Sequence, residues 1–163
     1  TPLENSIRMP KEMSPDEALH KAAALCSAKE CCIYDIREKL ARWNISDKDK
    51  NSIINRLISE KFIDEARYCT AFVKDKFRFS GWGRIKINYN LKMKGLKTDN
   101  IRTALQEIPE NEYSDMLHSL LISKNKTIKS DNEYDRKSKL FRFAASRGFE
   151  TEFIHKCLKQ LFP

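Results

Sequence analysis

Apolar and small residues return three times along the chain at the same offsets. Ile45, Leu96 and Phe149 each follow a short break, in RWNIS, MKGLKT and SRGFET. Nine residues earlier stand Ile36, Ile87 and Leu140, and five earlier Leu40, Leu91 and Ala144. Eight, nine and twelve residues later come Ile53, Ala104 and Cys157, then Ile54, Leu105 and Leu158, then Leu57, Ile108 and Leu161. The first two offsets make one helical stripe, and the last three make another by the i, i+1, i+4 pattern of an apolar face. Between them lies a turn with Asn44, Gly95 or Gly148, residue types that tolerate positive φ and end a helix. Ser46, Thr98 and Thr151 then stand where the following helix needs an N-cap, with Asp49, Asp99 and Glu152 suited to its positive end.

A further helical segment precedes each pair. The first carries Leu19, Ala22, Ala23 and Cys26 behind a Ser14-Pro15 start; the second Ala66, Cys69, Phe72 and Val73; the third Met116, Leu117, Leu120 and Leu121. The pattern predicts an all-α chain of three tandem three-helix repeats, about nine helices, over 14–63, 64–109 and 110–163. The polar stretch 123–135 reads as a flexible insertion in the third repeat. Residues 1–13, with no apolar core and no small-residue cleavage site, read as a flexible tail and not a secretory signal. A unit of this size buries little surface alone. Stacked, three give an elongated, curved body with one long face, a shape suited to a long partner. Four glycines and five prolines in 163 residues are few for a β-rich chain and leave the all-α reading in place. No apolar run reaches the roughly 20 residues of a membrane span.

Charge adds a face to this body. Residues 1–64 are neutral overall, whereas 65–111 carry a net +5 and 112–163 a net +3. Between Lys74 and Lys97 stand eight cations against the single acid Asp75. A face kept for solubility mixes signs. Arg78, Arg84, Lys86, Lys92, Lys94 and Lys97 are therefore the candidate contacts to a polyanion. Ile85, Ile87, Leu91, Leu96 and Ile101 among them read as core. Lys137, Lys139, Arg142 and Arg147 form a secondary basic set, diluted by Asp131, Glu133 and Asp135. Trp82, between two glycines, reads as packing under its turn, as does Trp43. The five cysteines fit neither a C-x-x-C pair nor a zinc pattern and read as reduced thiols in a cytosol. No phosphate-binding glycine loop, zinc-protease motif or nucleophile elbow occurs, so the sequence offers no catalytic centre, cofactor, small-molecule substrate or metal site. The paired helices carry no Arg, Asn or Gln array of the kind that reads base edges.

Two segments resemble a known family. Phe62-Ile63-Asp64-Glu65-Ala66-Arg67-Tyr68-Cys69 is similar to the L-D-D-x-R-F-A signature of the RecX family, regulators of the bacterial RecA recombinase. Gly81-Trp82-Gly83-Arg84-Ile85, followed by Leu91, Lys94, Gly95 and Leu96, resembles its G-x-x-R-I-x-x-x-L-x-x-K-G-[IV] signature, with Trp82 where many members carry Pro. Ile36-Arg37-Glu38-Lys39-Leu40 looks like its E-L-x-x-K-L segment. The resemblance covers roughly residues 18–108 well and the last repeat weakly. It implies a cytoplasmic, non-enzymatic protein of tandem three-helix repeats. Such a protein binds along the RecA–single-stranded-DNA filament and suppresses its ATPase, strand-exchange and co-protease activities. The alternative is a DNA-binding protein without sequence preference that acts independently of RecA.

Overall fold

The computed structural model describes residues 13–163. Among these residues there are nine α-helices and no strand. They are α1 (Pro15–Ala28), α2 (Ile33–Arg42), α3 (Asp47–Ser59), α4 (Glu65–Arg78), α5 (Arg84–Met93), α6 (Thr98–Gln106), α7 (Glu110–Asn125), α8 (Glu133–Ser146) and α9 (Thr151–Leu161). They fall into two compact units, one ending at Asp64 and one running from Glu65 to Pro163.

In the first unit α1, α2 and α3 close on Ala18, Ala22, Cys26, Ile36, Leu40, Ile53, Ile54 and Leu57. Ser14 caps α1 by accepting from the Glu17 N–H, with Pro15 at the first helical position. Ser46 caps α3 by accepting from the Asp49 N–H, and its hydroxyl donates to the Asp49 carboxylate. The sequence assigns Met13 to a loose tail, yet it is half-buried against this core; the rest of that tail lies outside the described residues.

One turn explains why the repeats share their spacing. Asn44, Gly95 and Gly148 have φ of 56°, 77° and 94°. The next N–H, of Ile45, Leu96 or Phe149, then reaches back to the carbonyl of Leu40, Leu91 or Ala144 at 3.1, 3.2 and 3.2 Å. This six-to-one bond is the Schellman closure of a helix C-terminus. It ties two apolar positions five apart, and both side chains are buried in all three copies. Two residues past each positive-φ position lies the N-cap of the next helix, which is Ser46, Lys97 or Glu150. Thr98 and Thr151 are thus the first helical residues and not the caps, because the closure fixes the cap one residue earlier.

In the second unit α4 packs on α5 and α6, and α7 packs on α8 and α9. The two three-helix groups meet at a glycine joint. The Gly83 N–H donates to the Arg147 carbonyl at 2.7 Å and the Ile85 N–H to the Gly148 carbonyl at 2.9 Å. A Cβ on Gly83 would lie 2.4 Å from the Gly148 carbonyl carbon, and one on Gly148 would lie 2.3 Å from Lys86 Cβ. Only chains without side chains at both points can approach so closely. Tyr113, fully buried on α7, fills the space beside the joint, with Phe77, Phe149 and Phe153 at ring-centroid distances of 5.8, 5.1 and 5.1 Å.

Three expectations need correction in this unit. Ile85 is 54% exposed. It stands two residues, about 200° of helix, from Ile87, so it points away from the Ile87–Leu91 stripe. Ala66 is exposed, and α4 instead buries Tyr68, Cys69, Val73 and Phe77. The segment 123–135 is not one continuous insertion: α7 continues to Asn125 and α8 begins at Glu133 behind an Asn132 cap, which narrows the connection to 126–132.

Candidate functional site

Tyr68, Phe72 and Lys76 are four residues apart on α4 and share one face. Tyr68 and Phe72 meet at 5.9 Å, and the Phe72 ring meets the edge-on Trp82 at 6.4 Å. Three lysines converge on this aromatic row. Lys76 Nζ lies 5.6 Å from the Phe72 centroid and 5.0 Å from that of Trp82. Lys86 Nζ is 4.6 Å from Trp82. Lys94 Nζ is 5.6 Å from Tyr68 and 5.8 Å from Phe72, and donates to the Tyr68 hydroxyl at 3.0 Å. Each cation–π contact contributes about 0.5–1 kcal/mol at a solvent-facing site. Their larger consequence is placement. The three ammonium groups are held over rings of one row, with Asp75 3.9 Å from Lys76.

The sequence-predicted contacts separate on this scaffold. Lys86 and Lys94 belong to the aromatic row. Arg78, Lys92 and Lys97 are exposed on α4, α5 and the N-cap of α6, with Arg78 and Lys92 two residues, about 200° of helix, from Lys76 and Lys94 and so turned away from the row. Arg84 is turned inward. Its guanidinium lies 3.9 Å from the Tyr113 centroid and donates to Glu150 at 3.1 Å, while its backbone N–H donates to the Tyr113 hydroxyl at 3.0 Å. The Tyr113 hydroxyl in turn donates to the other Glu150 oxygen. Burial, and next the Glu150 hydrogen bond, hold the Tyr113 phenol far above its ordinary range. Arg84 is thus the centre of the joint. The open cleft beside it mixes Arg84, Lys92 and Arg102 with Glu110 and Glu150. Its signs offset one another, which leaves it a poor seat for a polyanion.

The secondary set divides too. Lys137 and Lys139 pair with Glu133 and Asp135 at 3.2 and 3.1 Å along α8. Ser130 and then Lys139 hold the Asp135 carboxyl below its ordinary value. Arg147 donates to the Ser80 carbonyl at 3.0 Å, across the joint. Arg142 remains, exposed on α8. The five cysteines are buried thiols, and burial followed by Glu65 pushes Cys69 up to about 11. Trp82 is half-buried with lysines over its ring, and Trp43 lies under Lys21 at 4.8 Å. Lys76 and the aromatic row are absent from the sequence-predicted site. The spacing of 68, 72 and 76 carried their signal.

The register of the second signature also shifts. Three positions separate its Ile from its Leu, so with Leu fixed at Leu91 the Gly, Arg and Ile fall on Gly83, Lys86 and Ile87. The structure favours this register: Gly83 makes the close approach, Ile87 is buried and Ile85 is exposed.

An all-α array of three-helix repeats that carries a cationic aromatic row defines the class. The description "RecX, second three-helix domain" matches residues 64–105, and "RecX, third three-helix domain" matches 111–158. The chain belongs to the RecX family. It is 30% identical over 148 residues to a regulatory protein RecX of Chlorobium phaeobacteroides, covering 90% of this chain and 94% of that one. It is 29% identical over 145 residues to that of Prosthecochloris aestuarii, covering 89% and 93%. The match to the RecX of Leuconostoc mesenteroides, 25% identical, spans 72% of this chain and 44% of the relative. The crystal structure of RecX from Lactobacillus salivarius superposes with a TM-score of 0.78 at 20% identity, covering 90% of this chain and 96% of that one, and so shares the fold. Among the described residues no helix is long and apolar enough to cross a membrane.

Proposed function

We propose that this protein is a non-catalytic regulator that binds the RecA–single-stranded-DNA filament and lowers its ATPase and recombinase activity, in cytoplasmic control of recombination and DNA repair. Family membership supports the class of partner. The observation that carries the contact surface is the convergence of Lys76, Lys86 and Lys94 on one aromatic row; Arg78, Lys92 and Lys97 are further exposed cations on α4, α5 and the start of α6. Lysines pre-placed on rings lose less conformational freedom on contact than free surface lysines do, and each phosphate they neutralise releases a counterion. The ring faces are shared with ammonium groups, so phosphate and carboxylate contact is favoured over base stacking. Arg84 acts indirectly, by fixing α5 at the joint.

The test is ATP hydrolysis by a preassembled RecA filament of the same organism on single-stranded DNA, titrated with this protein, with binding to naked DNA measured in parallel. Suppression well below one protein per RecA, at concentrations that leave free DNA unbound, is the expected result. Inhibition only where the protein coats naked DNA would instead make it a DNA-binding protein indifferent to RecA.

A further inference from the structure

A second surface lies on the last three-helix group. Between α8 and α9 runs an open groove of about 690 Å³. Phe141, Leu158 and Phe162 supply its apolar part, and Lys137, Arg142 and Lys159 its charge. Among the described residues no carboxylate lines it. Lys137 already has Glu133 as a partner, but Arg142 and Lys159 are in no ion pair among the described residues. Along α8, Lys139 is paired with Asp135, which also feels the charge of Arg142 two turns on. The groove thus combines apolar surface with two cations, Arg142 and Lys159, that are in no direct ion pair among the described residues.

Its rings are poorly placed for nucleobases. Phe141 is packed against His155 at 5.1 Å and 33°, and Phe162 sits under Lys137 Nζ at 5.4 Å. What stays open is a concave apolar strip, with Tyr134 at its edge 83% exposed. Such a strip accepts an inserted side chain better than a stacked base.

We propose that this groove docks a short acidic peptide segment of a partner protein, one that seats a large apolar side chain against Phe141 and Phe162 and sets carboxylates on Arg142 and Lys159. The groove belongs to the third three-helix group and is separate from the lysine row on α4 and α5, so this site stands or falls independently of the filament contact. Charge complementarity supplies the specificity: a basic or neutral peptide would leave Arg142 and Lys159 facing apolar or like-charged groups.

The experiment is fluorescence anisotropy of the full chain with a labelled peptide of about 12 residues, rich in Glu and Asp with one Phe and one Leu. Two control peptides carry Ser at both anchors or Lys for every acid, and a labelled oligo-dT is titrated in parallel. The acidic, anchored peptide should bind, and both controls should bind at least about tenfold more weakly. Arg142→Glu with Lys159→Glu, both solvent-facing changes checked for helicity by circular dichroism, should weaken it about tenfold or more, whereas Lys86→Glu with Lys94→Glu should leave it unchanged. No binding by the acidic peptide, equal binding by the Ser-anchored control, or indifference to Arg142→Glu/Lys159→Glu would overturn the proposal. Loss of oligo-dT binding and not peptide binding in that variant would assign the groove to nucleic acid instead.

Discussion

Arg84 and Lys86 stand two residues apart on α5 and serve different ends. Arg84 lies over a buried tyrosine and pairs with a carboxylate 66 residues away. Lys86 holds its ammonium over Trp82 in the aromatic row. A guanidinium can stack and donate in a plane at once, so it suits a half-buried node of ring and carboxylate. An ammonium on a flexible stem suits a surface that meets phosphates. Two cations in one charge run thus divide into a fastener and a proposed contact. Neither charge counting nor proximity in sequence separates them; the partners do.

The sharpest way to break this division is to pry the joint open. Gly83→Ala would place Cβ 2.4 Å from the Gly148 backbone, where no flexible side chain can yield. The expected loss is about 3 kcal/mol or more in a denaturant titration, because the ladder of bonds from Gly83 and Ile85 must part. An unchanged midpoint would show that the joint is loose enough to admit a methyl group. A smaller effect follows from Arg84→Ala, which leaves Glu150 and the Tyr113 hydroxyl without their cation. Its stability should fall by about 1–3 kcal/mol, while the salt dependence of filament or DNA binding stays near that of the parent.

Lys86→Ala and Lys94→Ala should show the reverse pattern. Stability should move by about 0.5 kcal/mol, and the slope of log affinity against log salt should flatten by about one for each phosphate no longer neutralised. If Arg84→Ala flattened the slope and the lysine changes did not, the assignment of roles would have to be exchanged.

The smallest expected effect is alkaline. Cys69 titrates near 11 in the folded protein, above its ordinary 9.0, and Tyr113 is raised in the same direction. Below 9 both folded and unfolded thiols keep their protons, so stability is level there. As pH climbs from 9 towards 11 the unfolded chain releases the Cys69 proton first, and stability falls. Thermal melts from pH 8 to 10.5 should show that decline, and it should be shallower in Cys69→Ala.

The repeat architecture was readable because one local turn imposes it. A Schellman closure demands Asn or Gly at a single position and apolar residues on either side of it, so Asn44, Gly95 and Gly148 announce themselves. The Leu91 and Ile87 stripe was readable for the same reason of periodicity. Ile85 misled because it is apolar and sits between cations, although its phase on α5 turns it outward. Thr98 and Thr151 misled because they are good caps by type, whereas the closure places the cap on Lys97 and Glu150. Most of the candidate site was less legible. The Tyr68–Phe72–Lys76 face could be found by i, i+4 spacing. The Arg84–Tyr113–Glu150 node spans three segments of the chain and 66 residues, and only the packing of α5 against α7 and the start of α9 brings it together.

The central claim is that lysines held on an aromatic row make the regulatory contact. Its most direct test is filament ATP hydrolysis titrated with the parent protein and with Lys86→Glu/Lys94→Glu, at matched helicity and melting temperature. The parent should suppress hydrolysis at substoichiometric amounts, and the variant should lose at least about tenfold in potency. Equal suppression by both proteins would contradict the claim and move the contact off this face.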